Sequence, residues 1–277
     1  MTDPIVEQQR RHWDAVAPGW AEWLDWTERN FAPITDWLAK AAEWTPGARV
    51  LDVACGAGYP ALTAAARIAP DGHVTATDLS AEMIASATRR ADALGLRNVD
   101  FRQMASERLE YGDATFDSVS NVYGLMFSPD PAEALREAKR VLKPGGRVAV
   151  VVWDEFEKSP FFTAITDVAR RVLGLATPEP GGPGPFRFAR AGAVDDVLHK
   201  AGFSRCRTDT VDAVFEFASA DEYLQVFRDV AWKSRVDALS PDALAAFRRS
   251  VADATRSYDV DGHLRLGASS LGVVAEK

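Results

Sequence analysis

Two aspartates around a run of small residues form the part of the chain best equipped for chemistry. Asp52 leads the stretch Asp52-Val53-Ala54-Cys55-Gly56-Ala57-Gly58, and Asp78 stands 22 residues beyond Gly56. Glycines at 56 and 58 remove Cβ atoms, so a ligand can lie directly on the backbone, and the N–H groups that open the following helix point outward as donors. A carboxylate about 20 residues past such a loop is placed to accept hydrogen bonds from a ribose diol. Gly56, Gly58 and Ala61 also spell the dinucleotide fingerprint GxGxxA, which by itself suggests NAD. Away from the loop the sequence spells no catalytic triad. Asp154 and Glu155 could do acid–base work, but a solvated turn explains them as well.

These residues need a sheet to position them, and the middle of the chain supplies its pattern. Strands are expected at 49–54, 73–78, 99–103, 116–122 and 147–153, alternating with helices at 60–69, 81–94 and 131–142, which is the signature of a parallel sheet. The run Val148–Val152 is apolar throughout, as in a strand buried on both faces. Ser80 is a good N-cap, and Pro131 suits the first turn of a helix. Before the sheet, residues 4–44 carry a helical apolar stripe rich in tryptophan, with a break expected at Pro18-Gly19. After it, helices are expected at 161–175, 194–201 and 220–258 (interrupted near Ser240-Pro241), a glycine/proline loop at 178–188, and strands at 205–217 and 271–275. We therefore expect an N-terminal helical lid (1–45), a cofactor-binding core (46–155) and a remainder (156–277). The remainder completes the sheet and adds capping helices at about 158–175 and 220–258, all in one structural domain.

Composition narrows the partners. The 277 residues carry a formal charge of −8, with 47% apolar and 26% charged residues, and no Lys/Arg block interleaves with aromatics. A nucleic-acid backbone would be repelled by such a surface. Two distant cysteines, Cys55 and Cys206, and four scattered histidines exclude a disulfide framework and suggest no metal site. No apolar leader or membrane-length apolar run is present, so the expected location is the cytoplasm.

Four segments together resemble a known family. VLDVACGAGYPAL, VTATDLSAEMI, FDSVSNVYGLMFSPD and VLKPGGRVAVVVW, in that order, are similar to the ordered motifs of class I S-adenosylmethionine-dependent methyltransferases. The branch resembled is the one with ubiquinone/menaquinone C-methyltransferases and other small-molecule enzymes. The resemblance is strong over 48–153 and loose beyond. It implies a Rossmann-like α/β fold with a seven-stranded, mostly parallel sheet and helices on both faces. It also implies S-adenosylmethionine as cofactor. On this reading Asp52, Ala54, Gly56 and Gly58 cradle the methionine portion, Asp78 holds the ribose, and Leu79 and Met83 flank the adenine. Ala105-Ser106-Glu107 stands where the family has Asp-Ala-Glu, so the carboxylate that would accept the adenine amine is missing at Ala105, and Ser106 is the expected substitute. Asn121 and Tyr123 would face the reactive methyl, with Tyr123 a candidate for orienting a substrate, and His12 would lie in the helices capping the site, as the candidate general base.

The activity implied is methyl transfer to O, N or C of a small, largely apolar or aromatic metabolite, with Trp20, Phe127, Trp153 and Phe186 expected to line its pocket. The alternatives are a non-methylating, cyclase-like enzyme holding the same cofactor as a structural element, and an NAD-dependent oxidoreductase. The expected partner is a small-molecule acceptor rather than nucleic acid or membrane, with a homodimer left open.

Overall fold

The structure is a computed structural model that describes residues 4–176 and 181–277. Its sheet contains β1 (Arg49–Val53), β2 (His73–Asp78), β3 (Val99–Gln103), β4 (Phe116–Val122), β5 (Leu142–Trp153), β6 (Cys206–Phe217), the two-residue β7 (Asp259–Val260) and β8 (His263–Glu276). The order is β3-β2-β1-β4-β5-β8-β6, with β7 forming a hairpin on β8. β1 to β5 run parallel, and β8 lies antiparallel between β5 and β6. This long antiparallel insertion separates the sheet from the all-parallel 3-2-1-4-5-6 order of dinucleotide-binding folds. Val148 to Val152 are each at most 1% exposed, so the middle of β5 is covered by helices on both faces.

The helices are α1 (Pro4–Glu22), α2 (Leu24–Asn30), α3 (Ala32–Ala41), α4 (Ala61–Ile68), α5 (Ala81–Ala93), α6 (Pro131–Val141), α7 (Pro160–Leu173), α8 (Ala193–Lys200), α9 (Ala220–Phe227), α10 (Lys233–Asp237) and α11 (Pro241–Thr255). Ser80 accepts from the Met83 N–H at 3.1 Å and Ser240 from the Ala243 N–H at 3.3 Å, caps worth about 1 kcal/mol each. Among the described residues no helix is long and apolar enough to cross a membrane, and no group of three or more metal-ligating side chains gathers.

Three expectations change. Pro18-Gly19 does not break the first helix, which runs unbroken to Glu22. Gly19 answers a different need: a Cβ there would sit 2.1 Å from the Asp229 carbonyl oxygen, so glycine permits close contact with the segment after α9. That segment, Arg228–Trp232, is a turn of π-helix inside what the sequence reads as continuous helix. The last strand is much longer than 271–275, because serines and glycines in LRLGASSLG hide an alternation that buries Leu264, Leu266, Ala268 and Ser270. Residues 178–180 of the expected glycine/proline loop lie outside the described residues.

Candidate active site

The loop after β1 and the tip of β2 are joined by the Asp78 carboxylate. One oxygen accepts the Gly56 N–H at 2.9 Å and the other the Ser80 N–H at 2.8 Å. Burial raises the Asp78 pKa to about 6, against the pull of these N–H donors, and the charge of Asp14 adds to the rise. Gly56 has φ +53, and a Cβ there would meet nothing within 4 Å, so this part of the loop faces open space. Gly58 serves packing: its missing Cβ would lie 2.7 Å from the Leu62 side chain.

Two non-glycine residues nearby hold left-handed backbones, Ala54 (φ +60) after β1 and Tyr123 (φ +56) after the adjacent β4. Each conformation costs about 1–2 kcal/mol, and such strain concentrates at functional sites. The two are fitted together through Gly124, where a Cβ would come within 2.4 Å of the Ala54 methyl. The turn sends the Tyr123 ring onto Trp153, at 4.1 Å between centroids and 15° between planes. Its hydroxyl is 2.8 Å from Ser270 Oγ, and burial pushes its pKa well above the ordinary phenol value.

A single cavity of about 500 Å³ begins at the Asp78 loop and extends over the carboxyl ends of the strands into an aromatic chamber. Trp153, Tyr123, Phe161, Phe162, Phe227 and Trp232 form much of the chamber. Its walls are self-supporting: Phe162 meets Trp153 edge-on at 4.9 Å, and Phe161 stacks on Phe215 at 4.4 Å. The lining holds no lysine or arginine, and Asp78, Glu107 and His12 are its aspartate, glutamate and histidine. The site therefore favours a cationic or neutral ligand over an anionic one.

Helix α1 forms the roof. Asp14 accepts the Ser80 hydroxyl at 2.6 Å beside the cofactor loop, while Trp20 Nε1 donates to the Val230 carbonyl (3.2 Å) and Trp23 Nε1 to Asp229 (3.1 Å) on the π-turn. Apolar contact comes from a small satellite cluster, in which Val16 and Ala17 meet Ala57 and Met83. His12 also lines the cavity and has no hydrogen-bond partner among the described residues. Desolvation by the surrounding wall lowers its pKa.

Most residues expected from sequence converge here. Ala54, Gly56, Asp78, Leu79, Met83, Ala105 and Ser106 line the loop end, and Trp20, Phe127 and Trp153 the rest, with His12 and Tyr123. Four lie one layer back. Asp52 is 1% exposed beneath the loop, with one oxygen taking the Ser120 hydroxyl at 2.6 Å, the other unpartnered, and its pKa raised by burial to about 7. Gly58 packs on α4 as described. Asn121 Oδ1 accepts the Leu125 N–H at 2.7 Å, so its side chain secures the turn after β4 instead of facing the cavity. Phe186 rests edge-on against Phe162 at 5.0 Å and supports the wall, while its neighbour Pro185 enters it. Asp154, which the sequence reads as a solvated turn, is buried and tied to Ser269, Lys158 and the Glu155 N–H. Sequence reasoning missed Gln9, Trp232 and Glu107 on the wall. Only Glu107 carried a signal, as the third residue of the Ala-Ser-Glu triplet.

Residues 50–146 match the family described as "Methyltransferase domain". Over 103 residues the chain is 38% identical to the demethylmenaquinone methyltransferase of Bacillus cytotoxicus, covering 37% of this chain and 44% of that protein. The chain thus spans under half the length of the curated relatives it matches. Among solved structures, the (4+2)-cyclase SpnF is similar with a TM-score of 0.57 and 26% identity, over 88% of this chain and 79% of that one. A putative methyltransferase from Bacillus halodurans gives a TM-score of 0.55 at 20% identity, over 88% and 98%.

Proposed function

We propose that this chain, which carries a methyltransferase domain in the Rossmann-like class I fold, is an S-adenosylmethionine-dependent methyltransferase acting on a small, largely apolar or aromatic molecule. The observation that carries this reading is the continuity of the cavity, which joins the Asp78 carboxylate and an open glycine loop to an aromatic chamber without a lysine or arginine among the described residues. The cofactor fits the residues present: an unpartnered buried oxygen of Asp52 lies under the loop, and the wall is acidic toward a sulfonium. When bound, S-adenosylmethionine supplies an electrophilic methyl group and a thioether leaving group.

In this reading Asp78 takes the ribose hydroxyls, and the backbone from Ala54 to Gly58 takes the methionine portion from above Asp52. Leu79 and Met83 would flank the base, with Ala105 and Ser106 beside it. Trp20, Phe127 and Trp153 line the acceptor side, Phe186 braces it, and Asn121 fixes the turn beneath. The chamber excludes water and aligns the acceptor, which is the protein's main contribution to an in-line displacement. His12, neutral at pH 7 through its lowered pKa, takes the proton from a protonated nucleophile. Tyr123 acts through its ring, as a surface that orients the acceptor, because its hydroxyl is committed to Ser270. Residues 1–45 act as lid, 46–155 as cofactor core and 156–277 as acceptor cap.

A small-molecule acceptor, and neither nucleic acid nor a membrane, is the partner we infer from the acidic charge, with the cytoplasm as location and a homodimer to be tested by sedimentation. The test of function is calorimetric binding of S-adenosylmethionine, followed by S-adenosylhomocysteine release with a panel of neutral aromatic acceptors. No binding would refute the reading. A second reading is favoured by the 26% identity to a cyclase: here the cofactor stays intact and shapes the chamber. Turnover without S-adenosylhomocysteine release would select it.

A further inference from the structure

The order of the strand tips shows where a nucleoside's base must lie. Asp78 ends β2, which lies between β1 and β3. With the ribose held on Asp78 and the methionine arm on the loop after β1, the base arm is left with the tip of β3. That tip is tied to the ribose site directly, since the Met104 N–H donates to the Asp78 carbonyl at 2.8 Å. The chain then makes a turn closed by the Arg108 N–H on the Ala105 carbonyl at 3.2 Å. Ala105 offers no side-chain acceptor, yet Ser106, Glu107 and Ser128 stand on the cavity wall beside it.

Their hydrogen bonds have a definite polarity. Ser106 Oγ donates to Glu107 Oε2 at 3.0 Å. The other carboxylate oxygen takes the Ser128 hydroxyl at 2.5 Å and the Asp130 N–H at 3.5 Å. Glu107 is therefore occupied by donors from the β3 turn and from the loop after β4. A serine hydroxyl has one proton and two lone pairs. With its proton committed to Glu107, Ser106 can only accept.

Given the S-adenosylmethionine reading above, we propose that Ser106 Oγ accepts the exocyclic amine of the adenine, and that Glu107 is the positioning residue that keeps this hydroxyl acceptor-only. The pair thereby restores, one residue along, the acceptor lost at Ala105. It also makes the site selective for a base with an amine, rather than a carbonyl, at that edge.

The test compares S-adenosylhomocysteine with S-inosylhomocysteine, in which a carbonyl replaces the amine, by calorimetry on the full chain. The wild-type protein is expected to prefer the adenosyl ligand by about tenfold or more, the size of one hydrogen bond gained against two acceptors opposed. Ser106→Ala should bring the two affinities to within about twofold, and Ser106→Thr should keep the preference. Glu107→Gln frees the hydroxyl proton by donating to Ser106 from its amide, so the preference should shrink or invert. A full preference in both Ser106→Ala and Glu107→Gln would overturn the proposal, and their ligand-free melting temperatures show whether each is folded. Equal binding of both ligands by the wild type refutes the hydroxyl assignment alone, whereas binding of neither refutes the cofactor reading with it.

Discussion

Asp78→Asn separates stability from binding, because removing this buried charge should relieve the empty fold and weaken the ligand. The carboxyl pKa rises from 3.8 to about 6, so holding the charge costs on the order of 3 kcal/mol at neutral pH. A carboxylate whose folded pKa is raised contributes its full stability below the unfolded value, near 4, and loses it as pH climbs through about 6. Asparagine is a neutral stand-in for the protonated carboxyl, so it removes that cost; the pull of the Gly56 and Ser80 N–H groups is already contained in the net rise. At about pH 7.5 the variant should therefore melt above wild type, whereas near pH 5, where wild-type Asp78 is mostly protonated, the two should melt close together. Ligand binding moves the other way. The ribose hydroxyls lose a charged acceptor, and calorimetry with S-adenosylhomocysteine should show a loss of about 100-fold or more. Wild-type affinity should fall as pH drops below about 6, where the carboxyl takes a proton, and the variant's affinity should stay flat. A variant that binds within about threefold of wild type at neutral pH would refute Asp78 as the ribose group.

Other residues make separate tests. Gly124→Ala puts a methyl 2.4 Å from that of Ala54 and should weaken cofactor binding and stability, while Ala54→Gly in the same chain should recover about 1–3 kcal/mol, read by a double-mutant cycle of melting and binding; additive effects would exclude the contact. Gly19→Ala should push α1 from the Asp229 carbonyl and lower the melting temperature, by about 1–3 kcal/mol in stability, with weaker acceptor binding in steady-state assays. Tyr123→Phe leaves Ser270 without its partner and should cost about 1 kcal/mol while changing kcat less than about threefold, because the hydroxyl performs no proton transfer. His12→Ala should lower kcat by about 100-fold for a hydroxyl or protonated amine acceptor and remove the acidic limb of its pH profile; an unchanged profile would exclude His12 as base.

The sheet was readable because its strands carry their own signals. β2, β3 and β4 match the expected bounds, since β-branched and aromatic residues recur in each between turn and cap residues such as Gly72, Ser80, Asn98 and Gly124. Those signals are local, and the failures occur where a distant element decides the outcome. Pro18-Gly19 looks like a helix break until Asp229, 210 residues on, is seen to need the space. Asn121 was expected to face the cavity from the end of β4, but the left-handed turn at Tyr123 redirects the chain and Asn121 secures it. Glu107 reads in sequence only as the tail of a triplet whose first position, Ala105, lacks an acid. Only the tertiary contact with Ser128 and Asp130 shows what the remaining carboxylate does.

The two halves of the site differ in how they are built, and this bears on what each can vary. The proposed cofactor half is set largely by backbone: N–H groups of Gly56 and Ser80 fix the Asp78 carboxylate, and positive φ angles at Ala54 and Gly56 shape the loop. Backbone sites tolerate few substitutions, which fits a family match confined to residues 50–146. The proposed acceptor half adds to Tyr123 and Phe127, inside that match, side chains from α1, α7, α9 and the π-turn outside it, held by ring contacts and by the indole hydrogen bonds of Trp20 and Trp23. Aromatic walls can be recut one residue at a time at a cost of about 3–5 kcal/mol for a full truncation, without disturbing the strand tips. Ala54 and Gly124 mark the seam between the halves, where a methyl on one side requires a glycine on the other. Changes of acceptor should therefore leave cofactor affinity nearly constant when they fall beyond this seam, and should disturb both together when they fall on it.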